Sequence, residues 1–250
     1  MENTVLLNRM VKGIAVDRAA PRFRSLGEEA YEHILTKIVF PDSQDNSGIE
    51  YAGKITETRI ARALVMSNGP VRDAIIRLRH EGFIQTVGNR GSFLIDFSDP
   101  GIAAEIYRFR LSFEVGVFYT LAASITPDQV DELHRILETL EKAREQTDIV
   151  SYRKANLRFH LQAAEFAIGP ACAQLFRPKL MQWFAMAFHV LTESMEIERF
   201  RHNLDVLSHQ DLLESLVARD GEQAARLITS HCSYLSHQLG IEDETEENVA

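Results

Sequence analysis

The chain has 250 residues, 45% hydrophobic and 25% charged, enough for one large or two modest cores. It contains no apolar run near the roughly 20 residues that a membrane helix needs, and its N-terminus lacks the basic start, apolar block and cleavage site of a signal peptide. Net charge is −9, and Cys172 and Cys232 stand alone without C-x-x-C spacing, which argues against a disulfide framework and for a reducing cytoplasm.

Residues 1–24 are weakly patterned and read as an N-terminal arm, either mobile or packed on the adjoining unit. Ser25 to Val39 reads as a helix, with Leu26, Ala30, His33, Ile34 and Ile38 at helical spacing and Glu28 and Glu29 in the first turn. Phe40 to Gly53 is rich in Pro, Asp, Ser, Asn and Gly and reads as a loop. Thr56 then caps a short helix whose apolar positions are Ile60, Ala63 and Leu64. Met66 to Gly69 forms a turn, and a second helix begins around Gly69-Pro70, where proline costs little. Val71, Ala74, Ile75 and Leu78 give that helix one inward stripe. Gly82 stops it, and a hairpin runs from Phe83-Ile84 through Gly88-Asn89-Arg90-Gly91 into Ser92–Ile95. Helix, turn, helix and hairpin over residues 25–95 make a winged helix-turn-helix.

Charge favours a nucleic-acid partner for this unit. Residues 52–95 carry seven basic side chains against three acidic ones, a +4 island in an acidic chain. The segment also resembles the N-terminal domain of GntR-type bacterial transcription regulators. The matching residues are Ile55-Thr56-Glu57, Ile60-Ala61, Ser67, Pro70-Val71-Arg72-Asp73-Ala74-Ile75, Leu78, Glu81-Gly82-Phe83-Ile84 and Asn89-Arg90-Gly91. That resemblance implies double-stranded DNA as partner, met by Thr58, Arg59, Asn68, Gly69, Arg72, Asn89, Arg90 and Gly91. Thr58 and Asn68 stand where the family usually has arginines, so a different operator or weaker binding is expected; asparagine pairs with adenine where arginine favours guanine.

Asp96 to Gly101 is the expected linker, with Pro, Gly and capping residues. Beyond it charge reverses, with 14 basic and 25 acidic side chains over residues 96–250, and the pattern is wholly helical. Helices are expected over 102–124, 127–146, 149–167, 170–195, 196–219 and 221–239, the second opened by the capping box of Thr126-Pro127-Asp128-Gln129. Pro178 is placed to kink or divide the fourth. Residues 241–250 read as an acidic disordered tail. The fold expected is mainly α, a winged helix joined to an antiparallel bundle of six to seven helices over 102–240.

This half resembles the effector-binding domain of the FadR branch of the same family, through Arg110-x-x-x-Glu114, Asn156-x-x-Phe159-His160, Ser208-His209, Leu212-Leu213, Ala225 and His231. Many members of that branch hold a divalent metal with an Asp-x-x-x-His pair and two later histidines. Carried over, the resemblance implies a zinc or nickel site at Asn156, His160, His209 and His231, the asparagine being a poorer ligand than the aspartate it replaces. Arg110 either clamps an effector carboxylate or pairs with Glu114 four residues on; the sequence leaves both open. The other histidines, His33, His80, His134, His189, His202 and His237, read as surface or packing residues. The aromatic run Trp183 to His189 reads as core rather than pocket wall.

The expected function is a transcription regulator, acting as a homodimer on a near-palindromic operator and controlled by a small organic acid, with affinity falling steeply as salt rises. Two other functions compete with it. A metallo-hydrolase lacks the H-E-x-x-H helix, since His160 is followed by Leu161-Gln162-Ala163-Ala164. A regulator-derived protein that no longer reads DNA specifically would fit Thr58 and Asn68.

Overall fold

A computed structural model describes residues 25–40, 53–194 and 209–238. The expected arm over 1–24, most of the loop over 40–53, the first half of the helix expected over 196–219 and the tail over 241–250 lie outside the described residues.

The described part is mainly helical. Helix α1 (Leu26–Val39) is N-capped by Ser25, whose hydroxyl accepts from the Glu28 N–H at 3.2 Å. Strand β1 (Lys54–Ile55) precedes α2 (Glu57–Ala63) and α3 (Asn68–His80), and β2 (Ile84–Val87) returns through a 3-10 turn at Gly88–Arg90 into β3 (Gly91–Leu94). The three strands form an antiparallel sheet in the order β1-β3-β2. α3 buries Val71, Ala74, Ile75 and Leu78, the stripe its periodicity requires. Gly82 follows at φ +80°, a backbone conformation that glycine adopts at no steric cost, and this ends the helix.

Several expected inward positions turn out otherwise. In α2, Ala61 is buried and Ala63 exposed; in α1, Tyr31 and Leu35 are buried while Leu26 faces solvent. Val65, in the turn between α2 and α3, adopts φ +54° and is 93% exposed. A β-branched residue there carries backbone strain of about 1–2 kcal/mol with no burial to offset it.

The second half comprises α4 (Pro100–Ser124), α5 (Pro127–Glu145), α6 (Ile149–Ile168), α7 (Pro170–Ser194), α8 (His209–Val217) and α9 (Gly221–Gln238). Asp99 caps α4 by accepting from Gly101 and Ile102 N–H, and the Thr126–Gln129 capping box opens α5. α7 runs unbroken past Pro178: one missing N–H does not divide a 25-residue helix anchored by a buried face. α4 packs against α6, α7, α8 and α9, so it lies at the centre of the bundle. α1 packs on α3 and on α7, and one apolar core runs continuously from Ala30 to Cys232 through both halves. No helix among the described residues is long and apolar enough to cross a membrane.

Candidate functional site

Two sites emerge, one on the surface and one buried. On the surface, Thr58, Arg59, Asn68, Gly69, Arg72, Asn89 and Arg90 are exposed and Gly91 half-buried. Asn68, Gly69 and Arg72 lie on the first turns of α3, and Asn89 and Arg90 form the tip of the hairpin between β2 and β3. The Arg72 side chain is 61% exposed and hydrogen-bonds through Nε to Glu57 Oε2 at 3.1 Å, which holds the guanidinium beside the start of α2. Arg90 sits 5.8 Å from the Phe93 ring centroid.

The buried site is assembled by four helices. α4 supplies Arg110 and Glu114, α6 His160, α8 His209 and α9 His231, and all five side chains are buried. Arg110 Nε donates to Glu114 Oε2 at 2.6 Å, so the i, i+4 pair that the sequence allows is formed. Glu114 Oε1 lies 2.8 Å from His160 Nδ1, and Arg110 Nη2 approaches His160 Nε2 at 3.4 Å. A carboxylate oxygen this close favours the tautomer protonated on Nδ1, which turns the Nε2 lone pair towards Arg110 Nη2 and the cluster. His160, His209 and His231 each bring one ligand atom within 4.8 Å of the others.

Burial keeps the His160 and His231 imidazoles neutral. Burial pushes His160 below the usual imidazole range, although Glu114 pulls it partly back. Burial pushes His231 much further down, helped by His209 and His160. Burial would raise Glu114, but Arg110 and His160 outweigh it and hold the carboxyl well below its ordinary value. Neutral imidazoles with a carboxylate behind one ring nitrogen are what a borderline-soft divalent cation requires. The Asn156 Oδ1, one helical turn before His160, is buried and makes no hydrogen bond, an oxygen donor without a partner in the described residues. The donor set therefore fits a metal, with the Arg110 guanidinium, 3.4 Å from His160 Nε2, opposing it among the described residues.

Sequence reasoning did not find every neighbour. Trp183 and Phe184 lie under the Arg110 guanidinium at 4.8 and 5.9 Å from their ring centroids, so this part of the aromatic run borders the site as well as the core. Cys232 places its thiol 3.5 Å from Glu114 Oε2, and no spacing signal pointed to it. His33, His80 and His134 are exposed, as expected of surface residues. The side chains of His189 and His237, and all of His202, lie outside the described residues.

Residues 105–234 match the FCD domain model, just over half of the chain. The chain belongs to the GntR family, in its FadR-type branch. Curated relatives agree. It is 24% identical over 227 residues to the HTH-type transcriptional regulator YdhC of Bacillus subtilis, covering 86% of this chain and 92% of that one. It is likewise 24% identical over 189 residues to the HTH-type transcriptional repressor RspR of Escherichia coli, covering 74% and 78%. The solved structure of E. coli McbR superposes with a TM-score of 0.72 at 21% identity, over 87% of this chain and 98% of McbR, which shows a shared fold. Family and relatives are transcriptional regulators, not enzymes, so the hydrolase reading falls away. Members of this GntR branch bind DNA and typically form dimers.

Proposed function

We propose that this GntR-type chain is a cytoplasmic transcription repressor whose hold on its operator is set by occupancy of the buried Arg110–histidine cluster. Residues 25–95 act as the DNA-binding unit and 102–240 as the sensor, in a homodimer that spans a near-palindromic site. The observation that supports this most is the pairing of an exposed basic helix with a buried group of convergent ligands on one continuous core. RspR and NanR, both named as repressors in E. coli, favour the sign of regulation.

In this reading α3 enters the major groove, where Asn68 and Arg72 meet base edges. Gly69 lets the backbone approach, and beyond its chain neighbours and its own helix backbone nothing lies within 4 Å of where its Cβ would stand. Thr58 and Arg59 contact the backbone or flanking bases, and Asn89, Arg90 and Gly91 reach a minor groove or phosphate. Glu57 restrains Arg72 before DNA arrives, reducing the freedom lost on docking. At the other site, His160, His209 and His231 would hold a zinc or nickel ion, with Asn156 as a weak oxygen donor. Such an ion supplies a Lewis-acidic charge able to take one oxygen of an effector carboxylate. Arg110, turned from Glu114, would take the other through its planar fork.

Arg72→Ala tests the DNA-reading surface. With a duplex selected from random sequence by the purified protein, the variant is expected to bind about tenfold more weakly or worse, with much of its preference over scrambled duplex gone. Anisotropy titrations at several salt concentrations provide the measurement. Equal wild-type affinity for selected and scrambled duplexes would instead mean that specific reading has been lost.

A further inference from the structure

Gln182 of α7 is buried to 2% exposure, yet it belongs to neither site. Its Nε2 donates to the Glu81 carbonyl oxygen at 2.7 Å, and its Oε1 accepts from Lys179 Nζ at 2.9 Å. Glu81 is the C-cap of α3, so this hydrogen bond ends on the helix that carries Asn68 and Arg72. The Glu81 carboxylate is gripped from the other side: the Tyr31 hydroxyl donates to Oε2 at 2.6 Å and Arg77 Nε to Oε1 at 2.9 Å. The approach is close. A Cβ on Gly82 would stand 3.0 Å from Gln182 Nε2, so a side chain there would displace the amide. The next two residues of α7, Trp183 and Phe184, are the rings beneath Arg110, and the Phe184 centroid lies 6.3 Å from that of His160.

Three consecutive residues of one helix thus touch the recognition helix with a hydrogen bond and the histidine cluster with aromatic faces. We propose that Gln182 is the positioning residue that carries the state of the Arg110–histidine cluster to α3. Movement of the guanidinium shifts the rings beneath it, α7 moves as a rigid element, and the Gln182–Glu81 hydrogen bond is kept or broken. Packed cores respond to such shifts by switching between arrangements rather than by compressing, so a small movement at the cluster becomes a discrete one at α3. A second polar link from α7 towards the N-terminal half, Arg177 to Glu32 at 3.3 Å, is about one-third exposed on both sides and is screened accordingly. The role of Gln182 rests on the cluster being the sensor.

Amide hydrogen exchange on the full chain, with zinc alone as probe, tests it. Zinc is expected to change exchange in residues 78–83 by about fivefold or more in the wild type. Gln182→Met keeps the volume and loses the donor; it should bind zinc within about twofold of wild type by calorimetry and retain the response in residues 156–163. Its response in 78–83 should vanish, and Gln182→Glu, which lacks the amide donor at nearly the same shape, should behave alike. Persistence of the 78–83 response in both variants overturns the inference. Absence of zinc binding in every protein overturns the sensor reading instead. In that event Arg110→Lys decides, by perturbing the cluster without a ligand. Altered exchange at 78–83 only where Gln182 is present supports the role of Gln182, and the same alteration without it refutes that role.

Discussion

Arg110→Met is expected to lower the unfolding free energy by about 3–5 kcal/mol, a large share of the roughly 5–15 kcal/mol typical of a folded domain. Arg110 and Glu114 are 3% and 1% exposed, and their 2.6 Å contact lies at the centre of the bundle. Removing the guanidinium strands a carboxylate beside a neutral imidazole, His160, and a thiol, Cys232, and it empties the face of Trp183. Urea unfolding measures the loss. The double variant Arg110→Met/Glu114→Leu should recover much of it, because no buried charge remains unpaired. A single-variant loss under about 1 kcal/mol would mean that water reaches Glu114 and that the cluster is far wetter than its burial implies.

Acidification is expected to destabilise chelator-treated protein as pH falls from about 6.5 to 5.5, above the range where carboxylates titrate. Burial, first of all, lowers His160 and His231 below the ordinary imidazole pKa. In the unfolded chain both titrate near 6.5, so below about that pH the unfolded state binds more protons than the folded one. Stability is complete above about 6.5 and falls as pH drops towards the folded-state values, by up to about 1.4 kcal/mol per pH unit for each histidine. Glu114 does not confuse this window. Its folded pKa is depressed, so its contribution is intact above the normal carboxylate range and lost only in stronger acid. Urea midpoints at about pH 7.5, 6.5 and 5.5 give the slope, and His231→Gln should remove about half of it. A flat or rising profile would contradict neutral, buried imidazoles.

The N-terminal half was legible where the signal is local. The stripe Val71, Ala74, Ile75 and Leu78 and the Gly82 stop follow from periodicity and backbone freedom, and all four apolar residues are buried. Periodicity did not fix the inner face of α2, because seven residues make barely two turns: Ala61 was buried in place of Ala63. Strand β1 was unreadable from its two residues, whose partners Ser92 and Phe93 lie almost forty positions on. In the bundle, the Arg110–Glu114 pair is an i, i+4 relation any helix offers. The meeting of His160, His209 and His231 is different, because separations of 49 and 22 residues carry no geometric information. Only likeness to a known family suggested it, and chain topology brought it about. The approach of Gln182 to Glu81, 101 residues apart, left no trace in the sequence at all.

Control of DNA affinity by the buried cluster is tested most directly by the dissociation constant of the selected duplex, measured on zinc-loaded and on chelator-treated protein at fixed salt. If the cluster is the sensor, the two constants differ by about fivefold or more, with scrambled duplex bound more weakly in both states. Identical constants in the two states, with zinc binding confirmed by calorimetry, would contradict that control.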